Sequence, residues 1–437
     1  MEANSIKLHG TPSIVTASST SRRHRSSILS LHYRNTRFSP FSLTVTRCST
    51  TKSNETGQDS RLEPSSKKGL VLDLGTDSWD SEEIGSPVVK RFLSDNEERW
   101  YMWYHGTSSS KQNHVSDSVG LAVSNNGIHW ERGKGRVEST DDVGLVMGSC
   151  EDWWAFDKAN VRPGEVVIMS SSKVRADSSV YWMYYTGYTT ETVEFQSHLG
   201  NPERFHLCNE KGSVFRSLPG LAISQDGRHW ARIEGEHHSG ALFDVGSEKD
   251  WDFLYIASPH VVFHESGDLR MYYHSFDAKT GEFCIGMARS REGIKWVKFG
   301  KILGGRKSEK DGLGYFDEMG VRYPCVTRNK RDGSYVMAYE GVDRNGKVSI
   351  GLAVSEDGIK DWKRVQDEEA VLVVGEGGAW DEEGVGCPYL VEMDGDSDHQ
   401  WRLYYRGVGN GGRTGIGLAV SEGSEVIKFT KQTGISL

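Results

Sequence analysis

The chain has 437 residues, 36% of them hydrophobic and 26% charged, with a formal charge of −9. It is long enough to bury a large core or several small ones, and no apolar run reaches the ~20 residues of a membrane-spanning helix. Setting aside the first 54 residues leaves 44 basic against 60 acidic residues, which argues against nucleic acid and anionic membranes as partners.

Residues 1–54 hold Lys7, Arg22, Arg23, Arg25, Arg34, Arg37, Arg47 and Lys52 against one acid, Glu2. Ser and Thr are dense, as in TASSTSRRHRSS, and no long apolar core is present. This acid-poor, Arg-rich and Ser-rich composition marks an organelle transit peptide. VTRCST around Cys48 resembles a chloroplast processing site, so the expected location is the stroma, with residues 55–69 as a linker. The later cysteines are Cys150, Cys208, Cys284, Cys325 and Cys387. They are odd in number and widely spaced, which points to reduced thiols rather than disulfides or zinc.

From residue 70 onward one phrase recurs. It reads VGLAVSNNGIHWER (119–132), PGLAISQDGRHWARI (219–233), IGMARSREGIKWVKF (285–299), IGLAVSEDGIKDWKRV (350–365) and, worn, IGLAVSEGSEVIKF (416–429). An aromatic run precedes each copy: RWYMWYHG (99–106), VYWMYYTG (180–187), LRMYYHS (269–275), SYVMAYEG (334–341) and WRLYYRG (401–407). A lead with Asp and Pro precedes that: WDSEEIGSPVV (79–89), FDKANVRPGEVV (156–167), WDFLYIASPHVVF (251–263), FDEMGVRYPCVT (316–327) and WDEEGVGCPYLV (380–391).

Each repeat predicts a Pro strand opened by its Pro, whose missing N–H then lies outside the ladder, followed by an aromatic strand, a GLAVS strand and a short Trp strand. Tyr, Trp and Val suit a pleated, packed surface. Asn126-Gly127, Asp226-Gly227, Glu292-Gly293 and Asp357-Gly358 suit tight hairpins between the last two strands. Trp130, Trp230, Trp296 and Trp362 are expected to fill space between repeats. Four antiparallel strands repeated five times predict an all-β fold, a five-bladed β-propeller over 70–437. Its blades begin near residues 79, 156, 251, 316 and 380, with an insertion near 189–214. LVLDLGTDSWD (70–80) is expected to complete the worn fifth copy and close the ring.

The repeat is its own control. A residue type present in every copy serves the fold; a polar residue that differs between copies is free for a site. Asp80, Asp157, Asp252, Asp317 and Asp381 are expected to cap turns through backbone bonds. Where Pro strands start and aromatic strands end, side chains are expected to face a central funnel. That rim offers Arg162, Arg322, Arg406, His105, His260, His274 and Tyr323 as substrate-binding candidates. Glu340 is the expected catalytic carboxyl, with Asp317 or Asp157 as partner because each lies beside an Arg-bearing lead. The three histidines carry no local metal signature, and neither metal nor cofactor is expected. Three guanidinium groups suit phosphate or a sugar phosphate.

MYYTG…GLAISQDGRHW, with its aromatic-Asp…Pro lead, resembles the five-bladed glycosidase propellers. These are the invertases, levansucrases, arabinanases and xylosidases, with the related mannoside phosphorylases. The resemblance covers about 70–437 and implies a carbohydrate in the funnel. It also implies acids beside the inner-strand Pro, as Asp-Pro in one blade and Glu-Cys-Pro or Glu-Gly-Pro in another. Here the residues before Pro are Ser86, Arg162, Ser258, Tyr323 and Cys387, and Gly386-Cys387-Pro388 stands where an invertase-like enzyme reads Glu-Cys-Pro. Hydrolysis normally needs two carboxyl groups ~5–5.5 Å or ~6.5–9.5 Å apart. Two readings follow: a glycosidase or phosphorylase with a displaced pair, or a non-catalytic propeller that binds a sugar phosphate or a protein partner.

Overall fold

The computed structural model describes residues 67–93, 98–108, 116–169, 180–194, 213–265, 267–307, 314–366, 369–393, 400–423 and 428–432. The expected transit peptide, most of the linker, and residues 195–212 of the expected insertion lie outside the described residues. So does Cys208. The described residues contain no α-helix.

The chain enters on β1 (Leu70–Leu72). The first repeat forms β2 (Glu83–Leu93), β3 (Glu98–Ser108), β4 (Ser116–Ser124), β5 (Glu131–Arg132) and β6 (Gly144–Met147). The second forms β7 (Asn160–Met169), β8 (Val180–Glu194), β9 (Ser213–Ser224) and β10 (Ala231–Ile233). The third forms β11 (Ala257–Glu265), β12 (Asp268–Asp277), β13 (Glu282–Ser290) and β14 (Val297–Leu303). The fourth forms β15 (Gly320–Arg328), β16 (Tyr335–Val342), β17 (Val348–Ser355) and β18 (Lys363–Arg364). The fifth forms β19 (Gly384–Met393), β20 (Gln400–Val408), β21 (Thr414–Ser421) and β22 (Phe429–Lys431).

Pro strand, aromatic strand and GLAVS strand pair antiparallel in every repeat. A short fourth strand pairs on the GLAVS strand. β1 also pairs with β21, so the entering chain completes the open edge of the fifth repeat. Four sheets result, because one parallel bridge, Phe283 to Gly320, joins the third and fourth repeats. The Pro strands form a circuit of packing: β2 meets β7, β7 meets β11, β11 meets β15, β15 meets β19, and β19 meets β2.

Alternation along the aromatic strand ties each repeat to itself and to the next, since neighbouring side chains point to opposite faces. Tyr104, Tyr185, Tyr273, Tyr339 and Tyr405 each donate a hydroxyl hydrogen bond to the Asp of their own lead, at 2.8–3.1 Å. Arg132, Arg232, Lys298, Arg364 and Lys431 neutralise the same five carboxylates at 2.6–3.0 Å. The repeated Asp residues are therefore structural, but as phenol acceptors and counter-ions rather than turn caps.

On the opposite face the preceding aromatic reaches the next repeat. Trp103, Tyr184, Tyr272 and Tyr404 donate to the carbonyls of Gly227, Gly293, Gly358 and Gly127 at 2.6–3.1 Å. These glycines hold positive φ of 70–86°, as the hairpins require. Trp230, Trp296, Trp362 and Trp130 then pack edge-on against the same four rings at 5.8–6.2 Å. The fourth repeat has Ala338 at this position, and the fifth copy lacks the Trp that would meet it. Both halves of that contact are missing together.

The Pro residues do not open their strands, as the sequence pattern suggested. They sit inside them, at breaks in register between Gly85 and Val88, Pro163 and Glu165, Ala257 and His260, Arg322 and Cys325, and Gly386 and Tyr389. A bulge tolerates Pro because the ladder is already interrupted there. Ser86, Ser258, Tyr323 and Cys387, each just before Pro, take φ of 45–53°, a region costly for a residue with a side chain. The cavity beneath these four residues is small, about 30 Å3.

Candidate functional site

The bulges form a collar, and the repeats do not treat it alike. At three junctions the rim residue of one aromatic strand accepts the N–H of the next repeat's bulge. Ser258 N–H donates to Thr186 Oγ1 at 2.8 Å, Tyr323 N–H to His274 Nδ1 at 3.3 Å, and Cys387 N–H to Glu340 Oε2 at 3.0 Å. The equivalent residues of the first and fifth repeats are His105 and Arg406. Arginine has no acceptor, and His105 turns elsewhere.

Both turn to Glu83. Its Oε1 lies 3.0 Å from Arg406 Nη2, 3.3 Å from His105 Nε2 and 3.6 Å from Arg162 Nη2. Arg162 Nε donates to Asp117 at 2.5 Å, and Thr107 donates to the other oxygen of that carboxylate at 2.6 Å. Tyr188 sets its ring 5.9 Å from the Arg162 guanidinium. Gly85 makes the approach possible: a Cβ there would stand 2.6 Å from Arg406 Cδ and 2.8 Å from His105 Cε1. Glu83 keeps a 30% exposed side chain, so the cluster opens to solvent.

Burial raises the Glu83 carboxyl, but Arg406, Arg162 and His105 outweigh it and hold the group well below the usual carboxylate range. Burial, then the charge of Arg162, pulls the His105 imidazole down against Glu83. Burial pushes the Tyr188 phenol up to about 12, so it stays a neutral hydroxyl. At neutral pH the cluster therefore joins two guanidinium groups and two carboxylates to a neutral imidazole and a phenol. Its charges balance.

The other expected residues are placed differently. Glu340 is 3% exposed, and both its oxygens are engaged, one by Arg322 Nε and one by Cys387 N–H. It fills the space a side chain at 386 would take, since a Cβ on Gly386 would lie 1.8 Å from Glu340 Oε2. Asp317 and Asp157 are not brought to it. Asp317 binds Tyr339, whose side chain leaves β16 on the face opposite Glu340. Asp157 binds Tyr185 and Arg232 in the second repeat. The His274 ring packs at a tilt against Tyr323, with ring centroids 4.8 Å apart.

His260 is not at the rim. The bulge turns it to Glu165, with Nδ1 3.0 Å from that carboxylate and Nε2 2.9 Å from the Val326 carbonyl oxygen. Lys90, the Tyr389 hydroxyl and the Val166 N–H also meet Glu165. Arg162, Arg322 and Arg406, the guanidinium groups expected to suit phosphate, each have a carboxylate partner.

Sequence reasoning missed Glu83, Asp117, Tyr188 and Glu165. Glu83 was within reach of the repeat test. It stands three residues after Asp80, where the other leads have Asn160, Tyr255, Gly320 and Gly384.

His105, His260 and His274 are all buried, and burial lowers each folded pKa, with Arg162, Lys90 and Arg322 adding to the shift. The unfolded chain takes up protons below about pH 6.5 that the folded chain refuses. Stability should thus be full above that pH and fall as pH drops toward the folded values. The expected slope is about 1.4 kcal/mol per pH unit for each imidazole. Denaturant melts at pH 7.5, 6.5 and 5.5 check this, and a flat profile would contradict it.

No protein-family model matches the chain, and no curated protein matches it. Solved structures do. The protein of a BT0996–RGII complex matches with a TM-score of 0.55 at 17% identity, over 84% of this chain and 95% of that one. A glycoside hydrolase matches with a TM-score of 0.54 at 15% identity, over 84% and 96%. A thermostable family-43 glycoside hydrolase matches with a TM-score of 0.51 at 17% identity, over 81% and 95%. The protein thus has the all-β, propeller-type architecture of these glycoside hydrolases.

Proposed function

We propose that the protein is a five-bladed propeller that binds a neutral carbohydrate at the rim formed by its first, second and fifth repeats, without hydrolysing it. The count of five is supported by the closed circuit of Pro strands. The observation that carries the site is the broken pattern of the collar. Thr186, His274 and Glu340 are spent on backbone N–H groups, while His105 and Arg406 are released to meet Glu83, which Arg162 also approaches. Glycoside hydrolase structures that share the fold support a carbohydrate as the ligand.

The charge balance supports a neutral sugar over a sugar phosphate. Guanidinium groups donate to hydroxyl oxygens, and carboxylates accept from hydroxyl hydrogens, with no net charge left to repay. Binding is favoured over hydrolysis because Glu83 is held ionised and cannot serve as the general acid. Asp117 is committed to Arg162 and Thr107. Thermal melts of the wild type against neutral and phosphorylated sugars test this, with product analysis of the same mixtures. Neutral sugars should raise Tm and remain uncleaved. A shift confined to phosphorylated sugars would favour the anionic ligand, and released sugar would favour the enzyme.

Residues 1–54 are proposed to direct import into the chloroplast stroma, on their composition alone. The native protein should begin near residues 48–60. N-terminal sequencing that finds residue 5 or 10 intact would sink this.

A further inference from the structure

The second repeat has a feature that no other described lead shows. Trp153 and Trp154 precede its packed aromatic, Phe156, whereas no tryptophan precedes Trp79, Trp251, Phe316 or Trp380 in their leads. Trp153 is 89% exposed and Trp154 is 42% exposed. A tryptophan carries the largest apolar side chain and is highly buried on average, so an exposed pair marks a contact surface.

The turn that presents the pair is tied down through its backbone. It forms the tip of a turn closed by Ala155 N–H donating to the Asp152 carbonyl at 3.3 Å. Cys150 N–H donates to the Asp157 carbonyl at 3.0 Å, and Phe156 N–H to the Ser239 carbonyl at 3.3 Å. Arg232 of β10 holds the Gly148 carbonyl at 2.6 Å. Trp154 leans over Gly240, where an added Cβ would lie 3.9 Å from its ring. These bonds hold the backbone that carries the two indoles, and little covers them.

Their neighbours say what fits. Glu151 and Asp152 are exposed beside them. A pyranose ring presents an apolar C–H face and a fringe of hydroxyls. The indoles suit the face, and the carboxylates accept from the fringe. The same two carboxylates repel an anionic lipid surface. The lead runs into β7, which carries Arg162, so the pair lies on the rim that holds the proposed sugar site. Contacts with β10 and Gly240 set it over the outer edge of the repeat, while β7 is the inner strand. Four strands span about 14 Å at ~4.8 Å per pair, roughly three pyranose rings.

Resting on the carbohydrate reading above, we infer that Trp153 and Trp154 form a remote subsite for an oligosaccharide, reached only by chains of about three or four units that start at Arg162 and Glu83. The ligand is thus a chain, and the rim alone holds its terminal unit.

The test uses the full chain and gluco-, xylo-, arabino-, fructo- and manno-oligosaccharides of increasing length. In the series that binds, affinity should rise about fivefold to tenfold between two and four units. Trp153→Ala should remove that rise and leave the affinity of the shortest ligand unchanged. Trp154→Ala should reduce it. A rise that survives Trp153→Ala overturns the inference. So does affinity independent of length, even if Arg406→Ala abolishes binding and the rim reading stands. If no sugar of any length binds, both readings fall. Binding of the wild type to phosphatidylglycerol vesicles that Trp153→Ala abolishes would assign the pair to a membrane surface and overturn the subsite.

Discussion

Trp103→Ala should lower the unfolding free energy by about 3–5 kcal/mol. Trp103 is fully buried between the first and second repeats. Its loss removes a large apolar side chain, leaves a cavity in the first repeat, and takes from the Gly227 carbonyl the shorter of its two indole hydrogen bonds, the other coming from Trp230. The ring of Trp230 loses its edge-on partner at the same time. Trp230→Ala should cost less, about 1–2 kcal/mol, because Trp230 is only half-buried and solvent can fill the space it leaves. Urea melts of the two variants with equal losses would mean that the repeats are held together by something other than this interlock.

Glu340→Gln should cost a comparable amount, about 3–5 kcal/mol, because Arg322 would be left buried without a counter-charge. A glutamine still accepts from Cys387 N–H but cannot neutralise the guanidinium. Glu83→Gln should cost about 1 kcal/mol, since its ion pairs are partly exposed and solvent can replace them. The two carboxylates therefore separate by stability. If Glu340→Gln melts like the wild type, the collar does not depend on the Arg322 pair, and Glu340 is free for chemistry.

The repeated phrase made the strands legible. Each copy carries its own hairpin glycine and its own Asp-bound tyrosine, so period and polarity agree five times over. The completion of the worn fifth copy by residues 70–72 was legible for the same reason, since an unpaired β21 edge needs a partner. The Pro strands were misread in one detail. A Pro after a residue such as Ser86 or Cys387 normally signals extended backbone, and only the register shows that the residue before it is left-handed. That one-residue shift re-aims every side chain after it. It is why His260 meets Glu165 rather than the rim residues.

The site was less legible because charge is settled by neighbours in space. Arg162, Arg322 and Arg406 look alike in sequence. Asp117, from a different strand, and Glu83, from a loop-like run of acids, decide what two of them do. Glu340 looked free because no other copy has a carboxylate at that position. It performs the same backbone task as Thr186 and His274 with different chemistry. Difference between copies identifies a candidate, and only the hydrogen-bond partner shows whether it is spent.

The most direct test of the rim site is the affinity of Glu83→Gln and Glu340→Gln for the sugar that gives the largest thermal shift with the wild type, measured by calorimetry at a temperature where all three proteins are folded. Glu83 pairs with Arg406 and Arg162, contacts His105 and faces solvent, so Glu83→Gln should lose at least about tenfold in affinity, equivalent to ~1.4 kcal/mol. Glu340→Gln should bind like the wild type despite its lower stability. Unchanged affinity in Glu83→Gln together with lost affinity in Glu340→Gln would contradict the account and move the site to the junction of the fourth and fifth repeats.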